Sequence, residues 1–466
     1  MSLRQLGWQQ RGVDWALATL ATVAWATVAC VPRAALGQAT GSSPAGVIVD
    51  AQGVLHRQTF PDPTGQLTRQ RIDAARAALD PKVGAKSKLR KVSLPRLEKA
   101  LAALPDPRHP TDAMLHLAGL QRIQYVFLYP DTGDVVIAGP AEGWVEDLSG
   151  RVVGMTTGRP VLELQDLVVA LRAYLPGHDT ETLIGCSIDP TQEGLVKFKE
   201  FIRQQGGQAT PGDTEFIAEG LRTSLGLQKV RIEGVPPNTH FAQVMVEADY
   251  RMKLIGIGLE QPPIKLTSYV DRATGGSPNA LQRWYFMPDY KCVRVSDDET
   301  AMQLVGEGVK LVGADEVVGA DGERKQAGRA DGASKGFVNG FTKKYPELAQ
   351  KSPVYAQLRN LIDMAIAAAF LQEHDYYDKA HWKPDTLLSE DKFPVQTYNT
   401  PVQVESAVNA IWKGSQLMTP IGGGVTVRAH EALATDNLLN DEGGRVEKLH
   451  EAVSVKGLAE GQWWWD

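Results

Sequence analysis

The sequence predicts an α+β fold with mixed sheets, a central α/β layer in the order strand, helix, helix, strand, helix, and a helical segment near 335–380. Two observations favour this class. Short apolar runs bounded by turn residues alternate along the chain with longer runs of helical period. The 466 residues are 43% hydrophobic and 22% charged, which is typical of a globular protein with a large core.

Residues 1–39 are predicted to be a secretory signal peptide that is cleaved after Ala39. Two arginines precede an apolar run, Trp15–Val31, and small residues occupy the positions that a signal peptidase reads. The sequence leaves two alternatives open. One is an uncleaved membrane anchor, because the run is close to the length that spans a bilayer. The other is lipid modification at Cys30. Export predicts a periplasmic or extracellular protein, with contact to the membrane only through such an anchor.

The net charge argues against nucleic acid as a partner. The formal charge is −6, and it becomes −8 without residues 1–39, which carry three basic residues and one acid. A chain of this sign repels phosphate backbones. Cys186 and Cys292 remain after cleavage, and the sequence leaves open whether they form a disulfide bridge or are two buried thiols.

Region 40–115 is predicted to hold a hairpin around Asp50–Gly53 and helices near 67–79 and 94–104. A basic cluster lies between and within these helices. It is interpreted as a solvated face, with docking of an anionic surface polymer as the alternative. Its members are Lys82, Lys86, Lys88, Arg90, Lys91, Arg96 and Lys99.

Region 116–318 is predicted to be the central α/β core. Two hairpins and a helix precede a strand at 182–188, and Asp189 and Pro190 are then predicted to cap the next helix. The remaining predictions are a helix at 214–225, a strand at 228–235, a helix from His240 and further strands up to 318.

Residues 319–336 have almost no large apolar side chain and are predicted to be a flexible loop. Region 337–466 then predicts a helical pair and short C-terminal strands. The second helix carries Arg359 and Asp363 in an alanine-rich run, and it is interpreted as a buried packing helix. The terminal tryptophans, Trp463–Trp465, are interpreted as a buried closing strand with alternate rings on opposite sides. The alternatives are an exposed stacking platform for sugar rings or a contact with a membrane interface.

The segment His240–Glu260, "HFAQVMVEADYRMKLIGIGLE", is the most charged part of the predicted core. On a helical wheel its apolar side chains form one stripe, flanked by Glu247 with Arg251 and by Asp249 with Lys253. Pairs spaced by four residues contribute about 0.2–0.5 kcal/mol each on a helix surface. The segment is therefore interpreted as a structural helix with paired charges, and catalysis by one of its carboxylates is the alternative.

This segment, together with "LRKVSLPRLEKAL", "CSIDPTQEGL", "RWYFMPDY" and "FTKKYPELAQKSPVYAQLRNLIDMA", resembles an exported planctomycete family known as domain of unknown function 1598. The resemblance covers about residues 46–380. The resemblance names the relatives of this protein, but it implies no activity, cofactor or catalytic residue.

The sequence holds no complete catalytic or metal-binding motif. Ser334 lies in a "GASKG" match to the serine nucleophile pattern, but a charged glycine-rich segment precedes it where that motif needs a strand. His374, Asp378 and His381 would share one face of a continuous helix, and they are the best candidates for a metal site. Because a fourth ligand is not evident, no metal and no cofactor is predicted.

The sequence therefore favours an exported envelope protein of non-enzymatic type that binds an envelope partner or a surface polymer. The alternative is a secreted hydrolase whose acid and base come from distant carboxylates such as Asp189, Asp249 or Glu260. Whether the protein is an enzyme is left open.

Overall fold

Two large mixed β-sheets organise the chain, and the longer helices pack on them. The computed structural model describes residues 46–177, 182–205, 210–273, 280–318, 324–326, 332–409, 412–413, 416–417 and 422–466. About 40% of the chain is helical and 21% is strand, which confirms the α+β prediction. The predicted signal peptide, residues 1–39, lies outside the described residues.

The helices of the described residues are α1 (Gln66–Ala78), α2 (Pro81–Gly84), α3 (Leu94–Ala102), α4 (Asp112–Leu115), α5 (Leu164–Ala173), α6 (Gln192–Gln204), α7 (Thr214–Leu225), α8 (His240–Gly256), α9 (Tyr269–Arg272), α10 (Gly332–Lys351), α11 (Pro353–Glu373), α12 (Tyr376–Lys379), α13 (Ala429–Leu433) and α14 (Arg445–Ala452).

The strands are β1 (Val47–Val49), β2 (Val54–Arg57), β3 (Ser87–Ser93), β4 (Tyr125–Tyr129), β5 (Asp134–Ala141), β6 (Trp144–Glu146), β7 (Val152–Gly154), β8 (Leu183–Asp189), β9 (Gln228–Glu233), β10 (Ala280–Pro288), β11 (Val293–Val295), β12 (Ala301–Leu304), β13 (Val309–Val318), β14 (Arg324–Gln326), β15 (Gln403–Val404), β16 (Trp412–Lys413), β17 (Gln416–Leu417), β18 (Gly423–Arg428), β19 (Leu439–Asn440) and β20 (Trp464–Trp465).

The larger sheet has nine strands in the order β1, β2, β15, β9, β8, β18, β10, β13, β14. It takes strands from the predicted N-terminal region, from the central core and from the C-terminal region. The smaller sheet has seven strands in the order β19, β11, β12, β4, β5, β3, β20, so the last strand of the chain pairs beside an early one. Residues from Gly46 onward belong to one compact unit.

The predicted central layer is present, and the pairing within it is antiparallel. β8, α6, α7, β9 and α8 follow one another as predicted, and β8 pairs antiparallel with both β9 and β18. Parallel pairing occurs instead between β10 and β18. The two helices α6 and α7 connect β8 with β9, which are neighbours in the sheet. Antiparallel neighbours can be joined without a crossover connection.

Three local predictions need correction. Thr191, not Asp189, caps α6, since its side chain accepts a hydrogen bond from the Gly194 amide at 3.0 Å. The basic cluster contains a strand, β3, that the sequence reading missed. Helix α10 begins at Gly332, inside the segment 319–336 that was predicted to be a loop. Residues 319–323 and 327–331 of that segment lie outside the described residues.

Helix α11 is the core helix of the C-terminal half. By length and composition it is the one helix among the described residues that could cross a membrane, yet all of its most apolar stretch is buried inside the protein. Arg359 and Asp363 do not pair with each other. Arg359 bonds Glu307 at 2.8 Å, and Asp363 accepts from Arg122 at 2.7 Å. These ion pairs connect α11 to the loops and strands around it, as expected for a packing helix.

The end of α8 packs where β10 and α10 meet, and glycine is required there. A Cβ atom at Gly256 would lie 2.4 Å from Trp284 Cζ3 and 2.8 Å from its Cη2. Trp284 is itself fixed, because its indole N–H donates to Ser334 Oγ at 3.0 Å and its ring contacts Phe337. Close packing of this kind tolerates no additional methyl group.

We expect Gly256→Ala to lower the free energy of unfolding by about 1–3 kcal/mol through overpacking, although alanine is the better helix former by about 1 kcal/mol. The matched control is Gly84→Ala, at the end of α2, where an added Cβ meets nothing within 4 Å. Urea denaturation of both variants checks the prediction. Equal stability of the two variants would contradict it.

Candidate functional site

Helix α8 lies in the interior, between the nine-stranded sheet and helices α5 and α11. Thr239 caps it by accepting a hydrogen bond from the Ala242 amide at 3.3 Å, and Gly258, with a φ of 77°, lets the chain turn away after its end. Every residue of α8 except Arg251 is buried. The predicted apolar stripe is present, but the flanking ion pairs lie in the core as well.

The pair of Asp249 and Lys253 is fully buried. Lys253 Nζ donates to Asp249 Oδ2 at 2.9 Å, to the carbonyl of Ile188 at 3.0 Å and to that of Gly423 at 3.5 Å. The ammonium group therefore joins α8 to the ends of β8 and β18. Burial raises the pKa of Asp249 to about 6, against the opposing attraction of Lys253.

The three carboxylates proposed for a hydrolase do not form one site. Asp189 accepts a hydrogen bond from Arg283 at 3.0 Å, and its charge contributes to the raised pKa of Asp249, so these two acids are neighbours. Glu260 belongs to a different group and pairs with Arg251 at 2.7 Å. Each of the three acids pairs with a base, as expected for structural charges.

A chain of alternating charges continues from the other face of α8. Arg151 and Arg251 both bond the buried carboxylate of Glu247, and Arg251 also bonds Glu260. Glu260 in turn accepts from Arg57 at 3.2 Å, and Arg57 is partly exposed. Every charge in this chain has an opposite neighbour. These ion pairs hold β2, the segment before β7 and the residues after α8 against helix α8.

A buried histidine with two carboxylates lies at the start of α8. His240 Nδ1 is 2.8 Å from Asp166 Oδ2, and its Nε2 is 3.7 Å from Glu163 Oε1. Gln357, on α11, has its amide nitrogen 3.4 Å from the same Nε2. We name these four residues the His240 cluster. The sequence reading missed it, since Glu163 and Asp166 stand far from His240 along the chain; their spacing of three at the start of α5 was the one available signal.

The charge balance of the His240 cluster is set by burial and by the two acids. Burial lowers the pKa of His240, but the attraction of Asp166 and Glu163 outweighs it and raises the pKa to about 9. Burial also raises the pKa of Asp166, and the charge of His240 opposes that shift. The ring is thus held between two carboxylates, and its side chain is 1% exposed.

The residues considered for nucleophilic and thiol chemistry are structural. Ser334 is buried in the first turns of α10 and accepts the indole hydrogen bond of Trp284. This buried position is consistent with the expectation that Ser334 is not a nucleophile. Ser334 lies in a helix, however, and not in the predicted loop. Cys186 and Cys292 are both free and buried. Of the two outcomes left open by the sequence, the structure has the unbridged thiols.

The metal site considered at His374, Asp378 and His381 is not formed. α11 ends at Glu373, and Asp375 adopts a left-handed conformation with φ 54°, so the three residues do not share one continuous helix. His374 instead lies 3.3 Å from Glu299. Among the described residues, the group of potential metal ligands that does converge consists of Glu163, Asp166 and His240.

The basic cluster divides into a buried part and an exposed part. Arg90 is fully buried: its guanidinium donates to both carboxylate oxygens of Asp466 at 2.9 Å and to the carbonyls of Val83 and Ala118 at 2.8 and 2.7 Å. The interpretation as a solvated face is therefore wrong for Arg90, and also for Lys91, which is buried. A single cation connects β3, α2 and the last residue of the chain.

The terminal tryptophans form the predicted closing strand. β20 pairs antiparallel with β3, with Trp464 opposite Val92 and Trp465 opposite Lys91. Trp463 is buried in the main core, while Trp464 and Trp465 pack against different apolar clusters and stay partly exposed. The guanidinium of Arg90 lies 4.7 Å from the ring centre of Trp464. The pairing with β3 and the contact with Arg90 thus fix the position of the Trp464 ring.

An open groove runs along this strand, and we name it the tryptophan groove. Its volume is about 650 Å³. The lining residues are Lys82, Ala85, Gly461, Gln462, Trp463, Trp464, Trp465 and Asp466. Among the grooves found in the described part of the chain, a second one of about 370 Å³ is lined by residues such as Asp106, Arg108 and Lys392 and has no aromatic side chain.

We expect Lys253→Met to lower the free energy of unfolding by about 3 kcal/mol or more, because it leaves the buried Asp249 without a cation. The matched control is Lys197→Met, which breaks an exposed pair with Glu193 at the same spacing of four residues and should cost less than about 1 kcal/mol. Chemical denaturation measures both. Similar losses would show that the buried pair is not a structural requirement.

Stability should also depend on pH through His240. Its folded pKa of about 9 exceeds the unfolded value of 6.5, so its contribution is complete below pH 6.5 and is lost as pH rises through about 9. With a chelator present, the free energy of unfolding should fall by about 1–3 kcal/mol between pH 6.5 and about 10. His240→Gln should remove most of this fall. An identical pH dependence in the variant would contradict the assignment.

Comparison with known families identifies one region of the chain. Residues 186–269 match a family described as protein of unknown function, DUF1598. The matched span begins in β8 and ends at the first residue of α9, so it contains all of α8 together with Asp189 and His240. No curated protein and no solved structure matches the chain. The match supports an uncharacterised-domain family, and its description assigns no activity.

Proposed function

We propose that the protein is an exported, non-enzymatic envelope protein that binds a glycan polymer in the tryptophan groove. The observation that carries this proposal is an open groove of about 650 Å³ that is lined by the partly exposed rings of Trp464 and Trp465. That volume falls within the range of about 300–1,000 Å³ that is common for ligand sites. Export to the periplasm or beyond is supported by the sequence pattern of residues 1–39, and the planctomycete origin by the resemblance alone.

The chemistry of the groove suits a sugar chain. An indole face is apolar and carries partial negative charge, so it attracts the weakly positive C–H face of a sugar ring. Lys82 supplies a cation that can bond hydroxyl groups at the edge of the groove. A polymer of sugar rings offers many such C–H faces to the partly exposed rings of Trp464 and Trp465.

The groove is also preorganised. Arg90 holds Asp466 by two hydrogen bonds and lies over Trp464, and the pairing of β20 with β3 fixes the backbone between them. Rings that are immobile before binding lose little conformational entropy when a ligand arrives. Such rigidity supports a binding role for the aromatic residues in addition to their packing role.

A non-enzymatic role is supported by the pairing of the candidate acids. Asp189, Asp249 and Glu260 each have a basic partner, and none of them lines the tryptophan groove. The hydrolase remains the second candidate because the pKa of Asp249 is raised to about 6, close to what general acid catalysis requires. Its side chain is fully buried, which disfavours contact with a substrate.

The test is co-sedimentation of the purified mature protein with three insoluble polymers: chitin, cellulose and isolated peptidoglycan. We expect binding to at least one of them. Trp465→Ala should reduce the bound fraction about tenfold, which corresponds to the loss of one aromatic contact of about 1.4 kcal/mol. Lys82→Ala, whose side chain is exposed and holds no other element, should weaken binding without any effect on folding.

The control is Phe216→Ala, which removes an aromatic ring that is 63% exposed and lies outside the groove. It should bind as the unaltered protein does. Absence of binding to all three polymers, or equal binding by Trp465→Ala and Phe216→Ala, would refute the proposal. Release of soluble sugar that Asp249→Asn abolishes would favour the hydrolase instead.

A further inference from the structure

The His240 cluster has the ligand types of a transition-metal site. One potential ligand atom from each of Glu163, Asp166 and His240 lies within 4.8 Å of the others. The three residues come from the start of α5 and the start of α8, and Gln357 approaches from α11. Three helices thus converge on one imidazole ring. No residue of the tryptophan groove belongs to this cluster.

The spacing around His240 Nε2 fits one bound ion. Two ligand atoms that are each about 2.0–2.1 Å from a zinc ion lie about 3.3–3.7 Å apart, for angles between tetrahedral and about 130°. His240 Nε2 and Glu163 Oε1 are separated by 3.7 Å. An ion between these two atoms would therefore need little movement of the protein.

The other ring nitrogen is already oriented for metal binding. His240 Nδ1 lies 2.8 Å from Asp166 Oδ2, which fixes the ring and directs Nε2 away from that carboxylate. A metal-ligating histidine commonly donates its second N–H to a carboxylate in this way, which raises the basicity of the ligand. Asp166 is thus a positioning residue for the imidazole.

Two buried oxygens of the cluster lack a hydrogen-bond partner. These are Gln357 Oε1 and Asp166 Oδ1, in side chains that are 5% and 4% exposed. A buried polar atom without a hydrogen-bond partner destabilises the folded state. The oxygen and nitrogen of a glutamine amide can exchange places by a half turn, so Gln357 Oε1 can face His240 Nε2 in place of the nitrogen. A cation at this point would give that oxygen a partner.

We propose that the His240 cluster is a binding site for a divalent first-row transition ion of the zinc class. His240 Nε2, Glu163 Oε1 and Gln357 Oε1 are the protein ligands. The ion replaces the proton on Nε2, which leaves to solvent, while Nδ1 keeps its proton for Asp166, which orients the ring. The imidazole selects zinc-class ions over calcium and magnesium, which prefer oxygen ligands alone. The side chain of Glu163 is 13% exposed and marks the route from solvent. Because the ion ties α5, α8 and α11 together, its role is to stabilise the fold.

The experiment uses the mature chain without a histidine tag, treated with a chelator and then dialysed. Zinc chloride is titrated by calorimetry, and thermal unfolding is followed with and without zinc. We expect about one equivalent to bind and the melting temperature to rise. His240→Gln and Glu163→Gln should each weaken binding about tenfold or more. Glu163→Gln keeps the shape of the side chain, so it reports on binding even if His240→Gln folds poorly.

The matched control is His56→Gln. His56 also lies between two carboxylates, at 3.1 Å from Asp50 and 3.7 Å from Glu405, but on the exposed surface. This variant should bind zinc as the unaltered protein does. No stoichiometric binding to the unaltered protein would overturn the proposal. So would loss of binding in His56→Gln alone, or calcium chloride binding as tightly as zinc chloride.

Discussion

The position of α8 depends on the neutralisation of the charges that it carries into the core. Glu247, Asp249 and Lys253 are all buried, and a buried charge without a partner costs several kcal/mol. Their partners come from separate parts of the chain: Arg151 before β7, the carbonyl of Ile188 at the end of β8, and that of Gly423 at the start of β18. The helix can be buried only when these segments are in place.

The two faces of α8 have different neighbours for a geometric reason. His240, Glu247 and Arg251 recur at intervals of seven and four residues, so they lie on one side of the helix and meet α5, α11 and the chain of ion pairs. Asp249 and Lys253 lie on another side and meet the ends of β8 and β18. A single helix thus connects the nine-stranded sheet with the helical layer, through charge as well as through apolar contact.

A second long-range contact closes the seven-stranded sheet. β20 adds the final strand to the seven-stranded sheet, and Arg90 binds Asp466 from beneath it. Trp464 and Trp465 can both pack and bind a ligand, because only part of each ring is buried. A tryptophan presents about 150–250 Å² of surface, so one side of its ring can be buried while another lines a groove.

Much of the local structure was predictable from the sequence. The hairpins at β1 with β2, β4 with β5 and β6 with β7 have clear turn residues between apolar runs, and α7 matches its predicted bounds of 214–225. The pairing of Glu247 with Arg251 and of Asp249 with Lys253 was also confirmed, because a spacing of four residues sets it locally.

The sequence by itself thus determined most of the hairpins and helices and the pairing of charges within one helix, since these depend on neighbours a few residues apart. The tertiary structure decided which pairs were buried, that β8 and β9 are antiparallel, and that Glu163, Asp166 and Gln357 meet His240. It also decided that Arg90 bonds Asp466, across 376 positions of the chain. These contacts join residues that no local period relates, and they form only when sheets and helices pack against each other.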